Sequence, residues 1–67
     1  MTITVNDLLE LYDNWSNKVR INYVVDGIWK ILAEDSIIVI MAKEKELIQR
    51  EVMAFGFHDD IITIRVK

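Results

Sequence analysis

The sequence predicts an α+β domain over residues 1–67, with an N-terminal helix packed on an antiparallel sheet of about five strands in the order α-β-β-β-(α)-β-β. Three observations carry that reading. A helix-start signature at Thr4 leads into an apolar stripe of helical spacing, a period-two stretch runs into Asp26-Gly27, and a second alternating pair of stretches flanks Asp59-Asp60.

Thr4 can accept from the amide three residues on, Asp7 can reach back to the Thr4 amide, and Ile3 can staple onto Leu8. A helix over residues 5–14 follows, with Val5, Leu8, Leu9, Tyr12 and Trp15 on one stripe and Asn6, Glu10, Asp13 and Asn14 facing away. Beyond the polar cluster of residues 14–17 the period becomes two. Val19, Ile21, Tyr23 and Val25 fall on one side of a strand, and Lys18, Arg20 and Asn22 on the other. Asp-Gly suits a two-residue turn with positive φ at both central positions. Such a turn at Asp26-Gly27 pairs Val25 with Ile28, Val24 with Trp29, Tyr23 with Lys30 and Ile21 with Leu32, which sets a second strand over residues 28–33. Glu34-Asp35 then reads as a weaker turn. The apolar run of residues 36–42 reads as a central strand covered on both faces. Residues 43–49 are charged and rich in helix formers, and fit either one or two helical turns or a solvated loop. In the last hairpin Asp59-Asp60 pairs Phe57 with Ile62, Phe55 with Ile64 and Met53 with Val66 on one large apolar face, with Val52, Ala54, Gly56, His58, Ile61, Thr63 and Arg65 opposite.

A chain of 67 residues is near the size at which one core barely offsets chain entropy. It has no Cys and a single His, so neither a disulfide framework nor a Cys/His zinc site is open to it, and self-association is the stabilising device left. Eight basic against eleven acidic residues give a net charge of −3 with no Lys/Arg run, which argues against a domain that grips nucleic acid through phosphates. No apolar stretch reaches the length of a membrane span, and Met1 leads straight into a polar helix start, so a cytoplasmic protein is expected.

Little in the sequence points to catalysis. His58 is the one candidate general base and falls at the Asp59-Asp60 turn, where an exposed turn residue is the simpler reading; no metal, cofactor or catalytic set is expected. Asp26, Asp59 and Asp60 are explained by turn chemistry, since a calcium loop spaces its acids and closes with a bidentate Glu. The aromatic residues say more. Trp29, Val24 and Ile31, with one side of the expected strand over residues 37–41 and rimmed by Arg20 and Asn22, form an apolar face opposite the Val19-Ile21-Tyr23 row. Residues 43–49 could cover that face; otherwise it is a surface for self-association or for another protein. A different arrangement has Arg20, Lys43, Lys45 or Arg50 meeting the phosphate of a nucleotide-like ligand while Tyr23 or Trp29 stacks on its base.

Ile3-Thr4-Val5-Asn6-Asp7-Leu8-Leu9-Glu10-Leu11, Arg50-Glu51-Val52, Phe55, and Asp59-Asp60-Ile61-Ile62-Thr63-Ile64 together resemble small proteins of phages and mobile elements of Gram-positive bacteria. The helix-then-strands order is also similar to small anti-CRISPR inhibitors. That resemblance implies a non-enzymatic protein that acts by occupying a host protein such as a defence nuclease. The function expected from all of this is an interaction protein that forms homo-oligomers and binds a host protein through Trp29, Val24, Ile31 and Arg20. The alternative is an oligomer that sequesters a nucleotide-like signal.

Overall fold

The computed structural model describes residues 2–67, so Met1 of the expected 1–67 domain lies outside the described residues. Its elements are α1 (Val5–Leu9), β1 (Lys18–Val25), β2 (Ile28–Ser36), α2 (Ile37–Lys43), a 3-10 turn (Leu47–Gln49), β3 (Val52–His58) and β4 (Ile61–Val66). The class is α+β, as the sequence indicates. The sheet, however, has four strands rather than five and is mixed rather than antiparallel. Its order is β2-β1-β4-β3, with two antiparallel hairpins joined by a parallel β1/β4 seam.

Helix α1 begins as expected. The Thr4 hydroxyl accepts from the Asp7 amide at 3.1 Å while the Asp7 carboxylate accepts from the Thr4 amide at 3.0 Å. It ends at Leu9 instead of residue 14. The Leu11 and Tyr12 amides bond three residues back, to Leu8 and Leu9 carbonyls, tightening the last turn, and Leu11 is left 77% exposed. The polar cluster that follows competes for the backbone, with the Asn14 side chain accepting from the Ser16 amide.

Both hairpin turns have positive φ at both central residues: Asp26 (53°) with Gly27 (78°), and Asp59 (51°) with Asp60 (62°). The expected pairs Val25/Ile28, Val24/Trp29, Tyr23/Lys30, Phe57/Ile62 and Phe55/Ile64 are all present. Two expected pairs are not. A bulge between Ile21 and Asn22 moves Ile21 from Leu32 to Ala33, and a second between Val52 and Ala54 gives Val66 to Val52 in place of Met53. Glu34 and Asp35 are not a turn. They continue β2 opposite Arg20 and Val19, because β1 still offers a ladder there and Arg20 Nε bonds Glu34 Oε2 at 2.9 Å.

The largest correction concerns residues 36–42. Ser36 ends β2 and residues 37–42 fall in helix α2, not in a central strand, and the centre of the sheet is taken by β1 and β4. A continuous apolar run reads equally as a buried strand or a buried helix. Carbonyls of the preceding loop decide it here. Asn17 and Trp15 carbonyls accept from the Ile37 and Ile38 amides at 2.9 and 3.1 Å, satisfying donors that a helix start otherwise leaves open. Helical spacing then buries Ile37 and Ile40 and leaves Ile38 58% exposed. Residues 43–49 resolve into the end of α2 and the 3-10 turn.

The chain from β2 to β3 must cross from one edge of the sheet to the other, and it does so over one face. α2 packs on β2 and β1, and the 3-10 turn packs on α1. Beneath this layer lies the core: Val19, Ile21, Ile62, Ile64 and Val66 from the sheet, Val5, Leu8, Leu9, Ile37 and Ile40 from the helices, and Ile48. Met53, Phe55 and Phe57, expected in that core, are 52%, 58% and 61% exposed. Their strand is the outer one, and the helical layer does not extend over it.

Candidate functional site

The opposite face of the sheet carries no helix. Alternation from the Asp26-Gly27 turn aims Arg20, Asn22 and Val24 on β1, and Trp29, Ile31 and Glu34 on β2, to that side. The parallel seam sets Thr63 and Arg65 of β4 beside Arg20 and Asn22, and the last hairpin adds Ala54, Gly56 and His58 of β3. Arg20, Asn22, Trp29, Thr63, Arg65 and β3 residues 54–58 line a shallow groove of about 490 Å³ that runs from Trp29 to His58, with Val24, Ile31 and Glu34 beside it.

Trp29 and Ile31 are each 60% exposed, an unusual position for an indole and a branched aliphatic side chain in so small a chain. The Arg65 guanidinium lies 5.8 Å from the centre of the Trp29 ring, in cation–π range. That contact spans β1 and passes over Asn22, which is only 5% exposed. Asn22 Oδ1 has no hydrogen-bond partner there. An unmatched buried amide oxygen costs about 1–3 kcal/mol.

Arg20 is half-buried and held by Glu34. The bond from Arg20 lowers the Glu34 carboxyl pKa below the usual 4.5, desolvation opposes it, and the charges of Arg20 and Lys18 add to the lowering. His58 sits at the far end of the groove with Nε2 at 3.2 Å from Asp59 Oδ2, both side chains about 85% exposed. No group of three or more His, Cys, Asp or Glu capable of holding a metal occurs among the described residues.

Of the residues singled out in the sequence, Trp29, Val24, Ile31 and Arg20 thus share one surface. Tyr23, Lys43, Lys45 and Arg50 do not join them. Tyr23 lies on the helix side, where Arg50 stacks 5.8 Å from its ring and donates to the Lys67 carbonyl. Lys43 closes α2 and Lys45 follows it, both exposed. Arg50 lines a second groove in company with Glu44 and Glu46, whose carboxylates oppose a phosphate. The sheet itself separates these cations from Trp29, so a ligand cannot stack on Trp29 and bind them. Nor do residues 43–49 cover the Trp29 face, since Ile48 is buried in the core on the other side.

Sequence reasoning missed Arg65 and Thr63 as parts of this surface. Their alternation with Ile62 and Ile64 shows that they face away from the core, but only the parallel pairing of β4 with β1 sets them beside Arg20 and Asn22. No helix among the described residues is long and apolar enough to cross a membrane. No family model matches the chain, and neither a curated protein nor a solved structure resembles it.

Proposed function

We propose that this chain is a non-enzymatic interaction protein whose open sheet face binds a partner protein, with Trp29 as the anchor, Val24 and Ile31 beside it, and Arg20 and Arg65 at the rim. One observation carries the reading: two large apolar side chains, each 60% exposed, stand on a face that no helix covers. Clustered Trp and Arg are the side chains most enriched where interfaces concentrate their energy. The non-enzymatic reading is supported by the side chains themselves, because the lone His is solvated at a turn and the groove is open to water, which suits neither proton transfer nor nucleophilic attack. The partner class we propose, a host protein such as a defence nuclease in the cytoplasm, comes from the sequence resemblance alone, and no match to a known protein adds to it.

Capture from host lysate on immobilised protein tests this. Wild type and Leu11→Ala, altered at a residue 77% exposed outside the sheet, are expected to retain the same partner, and Trp29→Ala to lose it by at least about tenfold. Equal retention by Trp29→Ala overturns the assignment.

A second reading keeps the same face and replaces the partner with a nucleotide-like ligand. It is favoured by Asn22 Oδ1, an unmatched acceptor beneath a stackable indole and a guanidinium. Arg65 and Arg20 then take the anionic group in place of Lys43, Lys45 and Arg50. A ligand bound only by the folded state raises the melting temperature. No shift with a panel of mononucleotides and cyclic nucleotides removes this reading.

A further inference from the structure

The two edges of the sheet are treated differently by the sequence. Each edge strand has one bulge, but the β2 edge also carries Lys30, Glu34 and Asp35, charges that discourage another strand from adding to it. The β3 edge, Val52–His58, has no Asp, Glu, Lys or Arg at all. The N-terminal segment occupies only its beginning, where the Ile3 carbonyl accepts from the Val52 amide at 2.9 Å and Thr4 bridges Glu51. From residue 54 to 58 the outer side of β3 has no strand beside it among the described residues, and Phe55 and Phe57 stand exposed on the helix side.

That stretch has a local two-fold symmetry: Phe55-Gly56-Phe57 reads the same in both directions about Gly56. A two-fold dimer formed by antiparallel addition of one strand to its own copy sets residue i of one copy opposite residue j of the other and j opposite i, so an axis at Gly56 places phenyl opposite phenyl at both flanking contacts. We infer that β3 pairs antiparallel with β3 of a second copy, centred on Gly56, joining two four-stranded sheets into one of eight strands. Phe55 of each copy faces Phe57 of its partner, and directly opposed aromatic residues share one face. Four phenyl rings therefore cluster on the helix side at the seam, covering the strip that the helical layer leaves bare. The contact also supplies the stabilisation by self-association that a chain of 67 residues without disulfides or metal calls for.

The area fits a modest dimer. An aromatic side chain buries about 150–250 Å², so with over half of each ring exposed the four phenyls remove on the order of 500 Å² from water. Met53 and the strand backbones bring the total to about 1,000 Å², the lower end of specific interfaces. The phenyl-on-phenyl match of this register and the area it buries argue for a second copy over a foreign strand. The seam lies along β3, at the end of the groove remote from Trp29, and this inference does not rest on the function proposed above.

Sedimentation across micromolar to millimolar concentration tests it, with circular dichroism confirming the fold of every variant. Wild type is expected to reach the mass of two chains. Phe55→Glu and Phe57→Lys, each at an exposed side chain, are expected to weaken dimerisation by about a hundredfold, because each change occurs twice in the dimer. An equimolar mixture of the two variants is expected to regain the dimer, since the register sets the new Glu opposite the new Lys at one contact and leaves Phe opposite Phe at the other. A wild type that stays monomeric overturns the inference. So does a dimer lost with Trp29→Ala but kept by both Phe variants, and a mixture that fails to recover overturns the register. Loss of partner capture with the dimer intact would instead refer to the Trp29 face alone.

Discussion

The two faces of this sheet are made by the same four strands and differ in nearly every physical respect. On the helix side Val19, Ile21, Ile62 and Ile64 are fully excluded from water and packed beneath α1 and α2. On the other side Trp29 and Ile31 stand mostly in solvent, and the one buried residue, Asn22, has an acceptor with nothing to accept from. One face is built for stability. The other retains features that reduce stability, an exposed indole and a buried unmatched amide, and it is this contrast that motivates the proposal of a recognition surface there.

Mutations on the two faces should therefore separate stability from recognition. Ile62→Ala removes a fully buried side chain at the centre of the sheet and is expected to lower unfolding free energy by about 2–5 kcal/mol, enough to leave a domain this small largely unfolded. Thermal and denaturant melts check it. Trp29→Ala, by contrast, is expected to change stability by less than about 1 kcal/mol while abolishing partner capture. An equal loss of stability in both variants would mean that the open face is structural after all.

Asn22→Val sharpens the contrast from the other direction. Replacing an unmatched buried amide by a β-branched residue in a central strand is expected to raise stability by about 1 kcal/mol. A destabilised Asn22→Val would show that the amide has a structural partner in solution.

The hairpin turns make a smaller comparison. Both demand positive φ at two residues, yet one meets the demand with Asp26-Gly27 and the other with Asp59-Asp60. Only glycine adopts that region without a Cβ penalty, so Asp60→Gly is expected to add up to about 1 kcal/mol, read as a higher melting temperature, with no effect on capture.

The smallest effect is electrostatic. The Glu34 carboxyl is lowered below 4.5 in the folded chain, so its pairing with Arg20 contributes above the unfolded value and is lost as pH falls through 4.5 and below. The pair is exposed and screened. Wild type should lose slightly more melting temperature over that acid range than Glu34→Gln does, and identical acid profiles would show that the pair contributes nothing.

Local chemistry was legible without coordinates. The Thr4/Asp7 capping box, both two-residue turns and the first pairs beside each turn follow from residue type alone, because caps and tight turns are decided within a few residues. From the Asp26-Gly27 turn, period-two counting also puts Trp29, Val24, Ile31 and Arg20 on one face. Counting fails farther from each turn, where bulges at Ile21/Asn22 and Val52/Ala54 shift the register by one residue.

What tertiary structure alone decided is everything that depends on partners distant in sequence. Residues 37–43 became a helix because the carbonyls of Trp15 and Asn17 receive the amides of Ile38 and Ile37, a choice that an unbroken apolar run leaves open. Arg65 reached Trp29 because β4 paired in parallel with β1, across more than thirty residues of chain. Phe55 and Phe57 stayed in water because a crossing from edge to edge of four strands covers the near ones and not the last. Amino-acid type sets which groups must leave water; only the assembled sheet and its crossing connection set which of them can.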